Sequence, residues 1–316
     1  MLSAADGPRI AAAFELGQGA AMTGPVARGV IGQVWRLESE RGTWAVKEWF
    51  EEPDVAELAE GVAFQDEAVA LGVPAPSTVR TPGGDWMIVV DEAPVRVQGW
   101  VDLREPDTSL DPERVGGLVG ALHRVPFEGR QPLDAWYTEP IGADRWDGLI
   151  AASVLADAPF AERFAARRDA LVALDAIVRP PGAARTCHRD LWSDNLRATA
   201  KGDLCLIDWE NCGLADPSME LAVVLWEFGR SDPQRARTLY GAYRDGGGSG
   251  QIGRPSDFSM LIAQLGHIGA RACADWLGAT DDDDGRSFAA AWFAEFIEDP
   301  HTIEQIETLL DAVGSS

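Results

Sequence analysis

Polar and apolar residues alternate along residues 27–50, ARGVIGQVWRLESERGTWAVKEWF, and glycines break the alternation in two places. Period-two alternation of β-branched and aromatic residues marks strands with one buried face, and glycine marks the turns between them. The segment predicts strand, turn, strand, turn, strand. The period then changes. Val55, Leu58, Ala59, Val62, Ala63 and Val69 recur at helical spacing and predict a buried stripe. This helix is expected to start near Pro53 and to end at Gly72, with Pro74 beyond it. DWMIVV and VRVQGWVDL return to a strand pattern.

From residue 107 onward helical periodicity dominates. In DTSLDPERVGGLVGALHRV, Asp111 is the expected N-cap and Pro112 the first helical residue. Most of the remaining chain reads as helix. The expected class is α+β, with a strand-rich part over residues 1–101 and a helical part over 102–316, joined near Gln98–Leu103. A chain of 316 residues is long enough for one large domain or two lobes.

One stretch of the helical half is not helical. CHRDLWSDNLRATAKGDLCLIDWEN, residues 187–211, holds His188, Arg189 and Asp190, then Asn195 five residues after the aspartate. Asp208 follows eighteen residues after Asp190, at the end of the apolar run LCLI, and TAKGDL between them reads as a hairpin turn. Moving a phosphoryl group requires positioning, charge neutralisation and an oriented nucleophile. Magnesium takes hard oxygen ligands and few protein ones. Asn195 and Asp208 offer such oxygens from the two sides of the hairpin, and Asp190 remains to accept a hydrogen bond from a substrate hydroxyl. The spacing matches the H-R-D-x-x-x-x-N loop and later metal-binding aspartate of protein kinases. His188 reads as a structural residue that braces the loop.

The cations sharpen this picture. Of 27 basic residues only Lys47 and Lys201 are lysines. Lys201 falls in the hairpin turn. Lys47 falls inside the strand TWAVKEWF, where a charge is costly unless something pairs with it. A lysine is not interchangeable with a guanidinium fork, and it reads here either as a solvated edge-strand residue or as a point charge for phosphate oxygens. Gly29 and Gly32, in the turn upstream, let backbone amides approach a phosphate. Glu57, Glu60 and Glu67 on the following helix are candidate partners for Lys47, with Glu60 the first choice.

The net charge of −24 argues against nucleic acid and against an anionic membrane surface as partners. It suits a soluble surface, or a field that attracts cations. Cys187, Cys205, Cys212 and Cys273 form no C-x-x-C pair or zinc spacing and read as free thiols of a reducing cytosol. The N-terminal MLSAADGPRIAAAFELGQG has no basic region followed by a long apolar run, so no secretory signal is expected. No apolar stretch reaches membrane-spanning length. A cytoplasmic monomer or homodimer is the expectation.

Taken together, the H-R-D loop, the step to Asn195, the hairpin, Asp208 and the strand lysine resemble the aminoglycoside phosphotransferase family, small-molecule kinases that share the protein-kinase fold. The resemblance runs from about residue 20 to the C-terminal helices, and GLADPSMELA at 213–222 resembles the family's segment after the metal aspartate. It implies a bilobal fold, with a strand-rich N-lobe, a helical C-lobe and ATP or GTP bound between them. It implies Asp190 as catalytic base, Asn195 and Asp208 as magnesium ligands, Lys47 on the nucleotide's phosphates, and Gln98, Trp100 and Val101 around the adenine.

There are departures. The family's loop usually reads His-Gly-Asp, whereas Arg189 stands here, and Glu220 stands where the family often has aspartate. A protein kinase is disfavoured, because Asp208 is followed by Trp-Glu-Asn rather than Phe-Gly and no Ala-Pro-Glu follows. Trp192 offers its indole either to a sugar ring or to the packing of the loop. The acidity favours an aminoglycoside-like or other cationic amino sugar as acceptor. A metabolic sugar or amino-sugar kinase and a nucleotide-binding module without turnover are the alternatives. Asp281–Asp284 and the segment 294–301 add carboxylates to the helical half, and the aspartate run reads first as a solvated loop or helix start.

Overall fold

The computed structural model describes residues 1–29, 31–279 and 283–314. The chain forms two compact units, Met1–Asp107 with Ser193–Cys212, and Thr108–Trp192 with Gly213–Ser316. In chain order the first unit holds α1 (Gly7–Ala13), β1 (Ala21–Arg28), β2 (Gly32–Ser39), β3 (Gly42–Trp49), α2 (Val55–Ala70), β4 (Met87–Val90) and β5 (Ala93–Gly99). The second begins with α3 (Pro112–Leu122), α4 (Ala135–Thr138), α5 (Ala143–Leu155), α6 (Ala161–Asp175) and β6 (Arg185–Cys187). The chain then returns to the first unit for β7 (Leu196–Ala198) and β8 (Leu204–Leu206). It ends in the second with β9 (Gly213–Ala215), α7 (Pro217–Gly229), α8 (Pro233–Asp245), α9 (Ser259–Gly278), α10 (Asp283–Glu298) and α11 (Ile303–Gly314).

The strand-rich unit thus extends past the expected boundary at Val101 and takes back the 193–212 hairpin. Backbone pairing explains this. Arg104 donates its N–H to Ala198, Ala200 to Asp102, and Leu206 to Pro74, so the hairpin is stitched to the segment after β5 and to the chain beyond α2.

Five strands form one antiparallel sheet in the order β1-β2-β3-β5-β4. Its inner face buries Leu37, Val46, Val95 and Val97 against Ile10, Ala11 and Phe14 of the N-terminal segment. Glu48 is fully buried with them and is satisfied there, accepting from Leu2 N, Gln33 Nε2 and Trp35 Nε1 at 2.6, 2.8 and 3.0 Å. On α2 the buried face differs from the expected stripe. Leu58 and Val62 are buried, but Val55 and Val69 are 46% and 37% exposed, and Gly61, Phe64, Gln65 and Ala68 take their place. Gly61 lies in that face because a Cβ there would stand 2.4 Å from the carbonyl oxygen of Trp209.

In the helical unit the dipeptide Asp-Pro starts three helices. Asp111, Asp216 and Asp232 each accept a backbone N–H of the first turn, and the following proline is the first helical residue. The caps satisfy otherwise orphaned amides and proline sits where no N–H is needed. A core of Trp146, Phe160, Phe164, Trp276 and Phe293 joins α5, α6, α9 and α10. Of the run Asp281–Asp284, Asp281 and Asp282 lie outside the described residues, as do the side chains of Asp283 and Asp284.

Two glycines set how closely α3 meets α8. A Cβ on Gly116 would fall 2.1 Å from the Leu239 carbonyl oxygen, and one on Gly120 would fall 2.6 Å from that of Tyr243. Gly117, between them, has nothing within 4 Å of its Cβ position. Gly116→Ala is therefore expected to destabilise by about 1–3 kcal/mol through overpacking. Gly117→Ala should stabilise by about 0.4–1 kcal/mol through the unfolded chain. Urea unfolding of the pair checks this; equal effects would mean that the close approach does not limit packing.

Candidate active site

The charged residue of β3 is paired within its own unit. Lys47 lies opposite Val34 of β2 and Arg96 of β5, and alternation puts it on the face away from buried Val46 and Glu48. Its Nζ stands 2.6 Å from Glu210 Oε2 and 3.2 Å from Asp208 Oδ1. The three side chains are 17%, 5% and 38% exposed. Burial opposes the Lys47 charge, but the two carboxylates outweigh it and hold its pKa above the ordinary lysine value. Burial raises the Glu210 pKa, Lys47 pulls it down and the like charge of Asp208 raises it again, leaving it above the ordinary value. One ammonium thus serves two carboxylates.

Glu210 is the residue that the sequence reading missed. That reading looked for the lysine's partner on α2, at Glu60 with Glu57 and Glu67 behind it. The lysine instead bonds Asp208 and Glu210, from the chain that follows β8. Asp208 has φ 60°, and the next three residues form a short 3-10 turn. That left-handed kink returns residue 210 to the lysine. The turn is locked by Trp209, whose Nε1 donates to the Leu206 carbonyl at 3.0 Å and whose ring meets Phe64 edge-on at 5.5 Å. Only an acidic residue two places after Asp208 hinted at this.

Asn195 and Asp208 flank the open end of the β7–β8 hairpin. Leu196 pairs with Leu206, and the Asn195 carbonyl accepts the Ile207 N–H at 2.9 Å. A carboxamide and a carboxylate on adjoining strand ends, with Glu210 beside them, are the hard oxygen donors that magnesium prefers. These residues fit that ion.

The other nucleotide candidates fare differently. Gly32 is glycine because a Cβ there would stand 2.4 Å from the Glu48 carbonyl oxygen, so close strand packing alone requires it. The Gly29 N–H closes the turn onto the Gly32 carbonyl at 2.9 Å and is thereby spent. After β5, the Gly99 and Trp100 N–H groups are taken by the carbonyls of Ser77 and Thr43. The Gln98 side chain donates to Gln65 Oε1, and Trp100 Nε1 to Asp102 Oδ1. Val101 is half-buried.

Asp190 and Trp192 belong to the helical unit, where both are half-buried. The loop that carries them leaves β6, which pairs with β9 through Cys187 and Gly213. His188 is fully buried, as its bracing role predicts. Arg189 is 2% exposed and has φ 65°. Its N–H donates to the Glu220 carboxylate, its carbonyl accepts from Gln264 Nε2 at 2.8 Å, and its guanidinium lies 4.4 Å over the Tyr137 ring. A Cβ on Gly213 would stand 2.5 Å from the guanidinium carbon, so only glycine leaves it room.

Behind this loop, fully buried Glu220 lies 2.7 Å from His123 Nε2, and His123 Nδ1 lies 2.7 Å from the Tyr243 hydroxyl. Gly250 N–H donates to that hydroxyl at 2.7 Å, which ties the loop before α9 to the same chain of bonds. Burial works to raise the Glu220 pKa, but the His123 bond and charge and the Arg189 amide outweigh it and hold the carboxyl below its ordinary range. His123, Cys187 and Glu220 approach within 4.8 Å. Both ring nitrogens of His123 are already engaged, so the cluster is a hydrogen-bonded brace.

Residues 23–252 match the model of the phosphotransferase enzyme family. The chain belongs to this family. Its members transfer phosphate to hydroxyl groups of small molecules, and the two units are the strand-rich and helical parts of the kinase-like fold. Spectinomycin phosphotransferase, solved with ADP and spectinomycin, superposes with a TM-score of 0.67 at 12% identity, covering 92% of this chain and 93% of that one. An aminoglycoside phosphotransferase from Alicyclobacillus acidocaldarius gives 0.64 at 18% identity, covering 96% and 95%. A microcompartment-associated aminopropanol kinase gives 0.57 at 16%, covering 93% and 95%. No curated protein matches the sequence. Among the described residues no helix is long and apolar enough to cross a membrane.

The lysine group makes a stability prediction. Lys47→Met leaves buried Glu210 beside Asp208 without its cation and is expected to cost about 3–5 kcal/mol. Lys47→Met with Glu210→Gln should recover part of that loss. Strict additivity in urea unfolding would mean that the two side chains are not coupled.

Proposed function

We propose that this enzyme transfers the terminal phosphoryl group of ATP or GTP, with magnesium, to a hydroxyl of a cationic amino sugar. The observation that carries the reading is the Lys47–Asp208–Glu210 group beside Asn195, a cation and three oxygen-bearing side chains gathered in one unit. Lys47 is held charged, as a phosphate ligand must be. Asn195 and Asp208, with Glu210 at hand, would hold the metal, which when bound supplies neutralisation of the phosphate oxygens. Lys47 then exchanges one of its carboxylates for phosphate. Asp190 is the remaining carboxylate of the motif and accepts the hydrogen bond of the acceptor hydroxyl, orienting its oxygen for attack. The Glu220 and Gln264 bonds hold the peptide groups on either side of Arg189, which sets the direction in which Asp190 leaves the loop.

Asp190→Asn should retain Mg-nucleotide binding and lose turnover by about 10²–10⁴, the usual worth of a general base. Steady-state kinetics with calorimetry check this, and near-normal turnover in a folded variant would remove Asp190 from the reaction. Asp208→Asn is expected to weaken Mg-nucleotide binding.

The net charge of −24 supports a cationic acceptor. Exposed charges are screened over about 8–10 Å at physiological salt. Raising salt should therefore raise the acceptor KM while kcat at saturation changes little, with the nucleotide's own salt dependence measured separately. A neutral hexose phosphorylated efficiently, with a salt-independent KM, would favour the metabolic sugar kinase instead.

A further inference from the structure

α4 is a single helical turn whose two aromatic residues have different partners. Tyr137 is buried under the Arg189 guanidinium. Trp136 stacks on His267 of α9, with centroids 5.1 Å apart and planes inclined by 23°. α9 grips the same loop, because Gln264 bonds the Arg189 carbonyl. His267 follows Gln264 by three residues, which makes the two neighbours on the helix surface. The Trp136–His267 pair is therefore joined to the residue before Asp190 twice, through Tyr137 and through Gln264.

The pair is also held rigidly. Asp134 accepts the Trp136 N–H at 2.8 Å, and Thr138 Oγ1 donates to the Asp134 carbonyl at 2.9 Å. His267 Nε2 donates to the Glu139 carbonyl at 3.1 Å, which fixes the tautomer. Burial is the first cause of a lowered His267 pKa, so the ring is a neutral aromatic at physiological pH. Both rings remain half-buried rather than buried, unlike the aromatic cluster of the core. The stack packs α4 against α9, and its half-buried rings leave part of their area exposed near the loop that carries Asp190.

On the small-molecule kinase reading above, we propose that Trp136 and His267 form the surface on which the acceptor's ring stacks. The acceptor is then a ring-bearing amine, an aminocyclitol or amino sugar, rather than a short linear amino alcohol. A flat indole offers area and a π-face to the C–H face of a saturated ring, and its quadrupole favours a nearby ammonium. Asp134 and Glu139, both exposed on the same segment, supply carboxylates for that ammonium. A linear amino alcohol has no ring face to bury and pays rotor entropy on binding.

The test uses three amines, kanamycin, glucosamine and 1-amino-2-propanol, with Mg-ATP. The full chain is compared with Trp136→Ala and Trp136→Phe, and thermal unfolding is followed alongside. The wild type should prefer the ring amines. Trp136→Ala should raise their KM roughly 3–10-fold, the size of one aromatic contact. Trp136→Phe should restore most of it, and the KM for ATP should not move. Saturation-transfer NMR provides a binding readout independent of turnover, in which ring protons of kanamycin receive magnetisation from the wild type and less from Trp136→Ala. Unaltered ring binding in Trp136→Ala would overturn this inference and leave the proposed function in place. Preference for 1-amino-2-propanol, or no binding of either ring amine to a protein that binds Mg-ATP, would overturn this inference and the amino-sugar acceptor together and leave only phosphoryl transfer. Absence of Mg-ATP binding by the wild type would overturn both.

Discussion

The ammonium of Lys47, set between Asp208 and Glu210 on the face of the sheet, is the interaction on which the strand-rich unit is organised. Desolvation alone would push the lysine toward losing its proton, and the two neighbouring carboxylates alone would repel each other. Together they leave one net negative charge close to the hairpin end that carries Asn195. The buried Arg96 guanidinium, opposite Lys47 on β5, faces the same carboxylates and limits that excess further. The geometry requires residue 208 to adopt a left-handed backbone, which aspartate accepts more readily than most residues, and requires the turn after it to stay fixed. Trp209 and the glycine face of α2 provide that fixation. The helix therefore contributes to the site through Gly61 and Phe64, which carry no charge.

This explains which parts were legible in the sequence. The strands around residues 27–50 and the Asp-Pro helix starts could be read because local chemistry fixes them: alternation buries one face, and a cap satisfies an amide. The motif from His188 to Asp208 could be read because its spacing is set by one hairpin. The partner of Lys47 could not, because it depends on a single φ at Asp208, and periodicity says nothing about φ. The α2 stripe failed for a related reason. Its inward face was chosen by hydrophobicity, whereas the structure selects by fit, placing Gly61 and Gln65 inward and leaving Val55 and Val69 in solvent. For Gly32 the spacing between strands at Glu48 is a second reason for glycine, one that a turn motif does not reveal. The hairpin 193–212 was placed with the helical part because chain order suggested it, and it was moved by hydrogen bonds to residues 74 and 102–104.

The arginine at position 189 shows how the helical unit meets a constraint with a different residue. A left-handed backbone at the position before Asp190 favours glycine, the residue expected there from the family resemblance. An arginine in that conformation is strained unless its surroundings over-determine it. Here they do. Its N–H is bonded to Glu220, its carbonyl to Gln264, and its guanidinium has a ring beneath it and a glycine beside it. The guanidinium ties α4 to the loop through Tyr137, and the backbone carbonyl ties α9 to it through Gln264. The same residues that tolerate the strain therefore carry the aromatic pair of Trp136 and His267, so the backbone around Arg189 and that pair are built from one set of contacts. With glycine at that position the contact with Tyr137 would be lost, while the Gln264 bond to the backbone carbonyl would remain. In this chain a change of acceptor preference and a change in the loop's backbone cannot be made independently through Tyr137 or Gln264, and Trp136 is the position where preference can change while the loop keeps its hydrogen bonds.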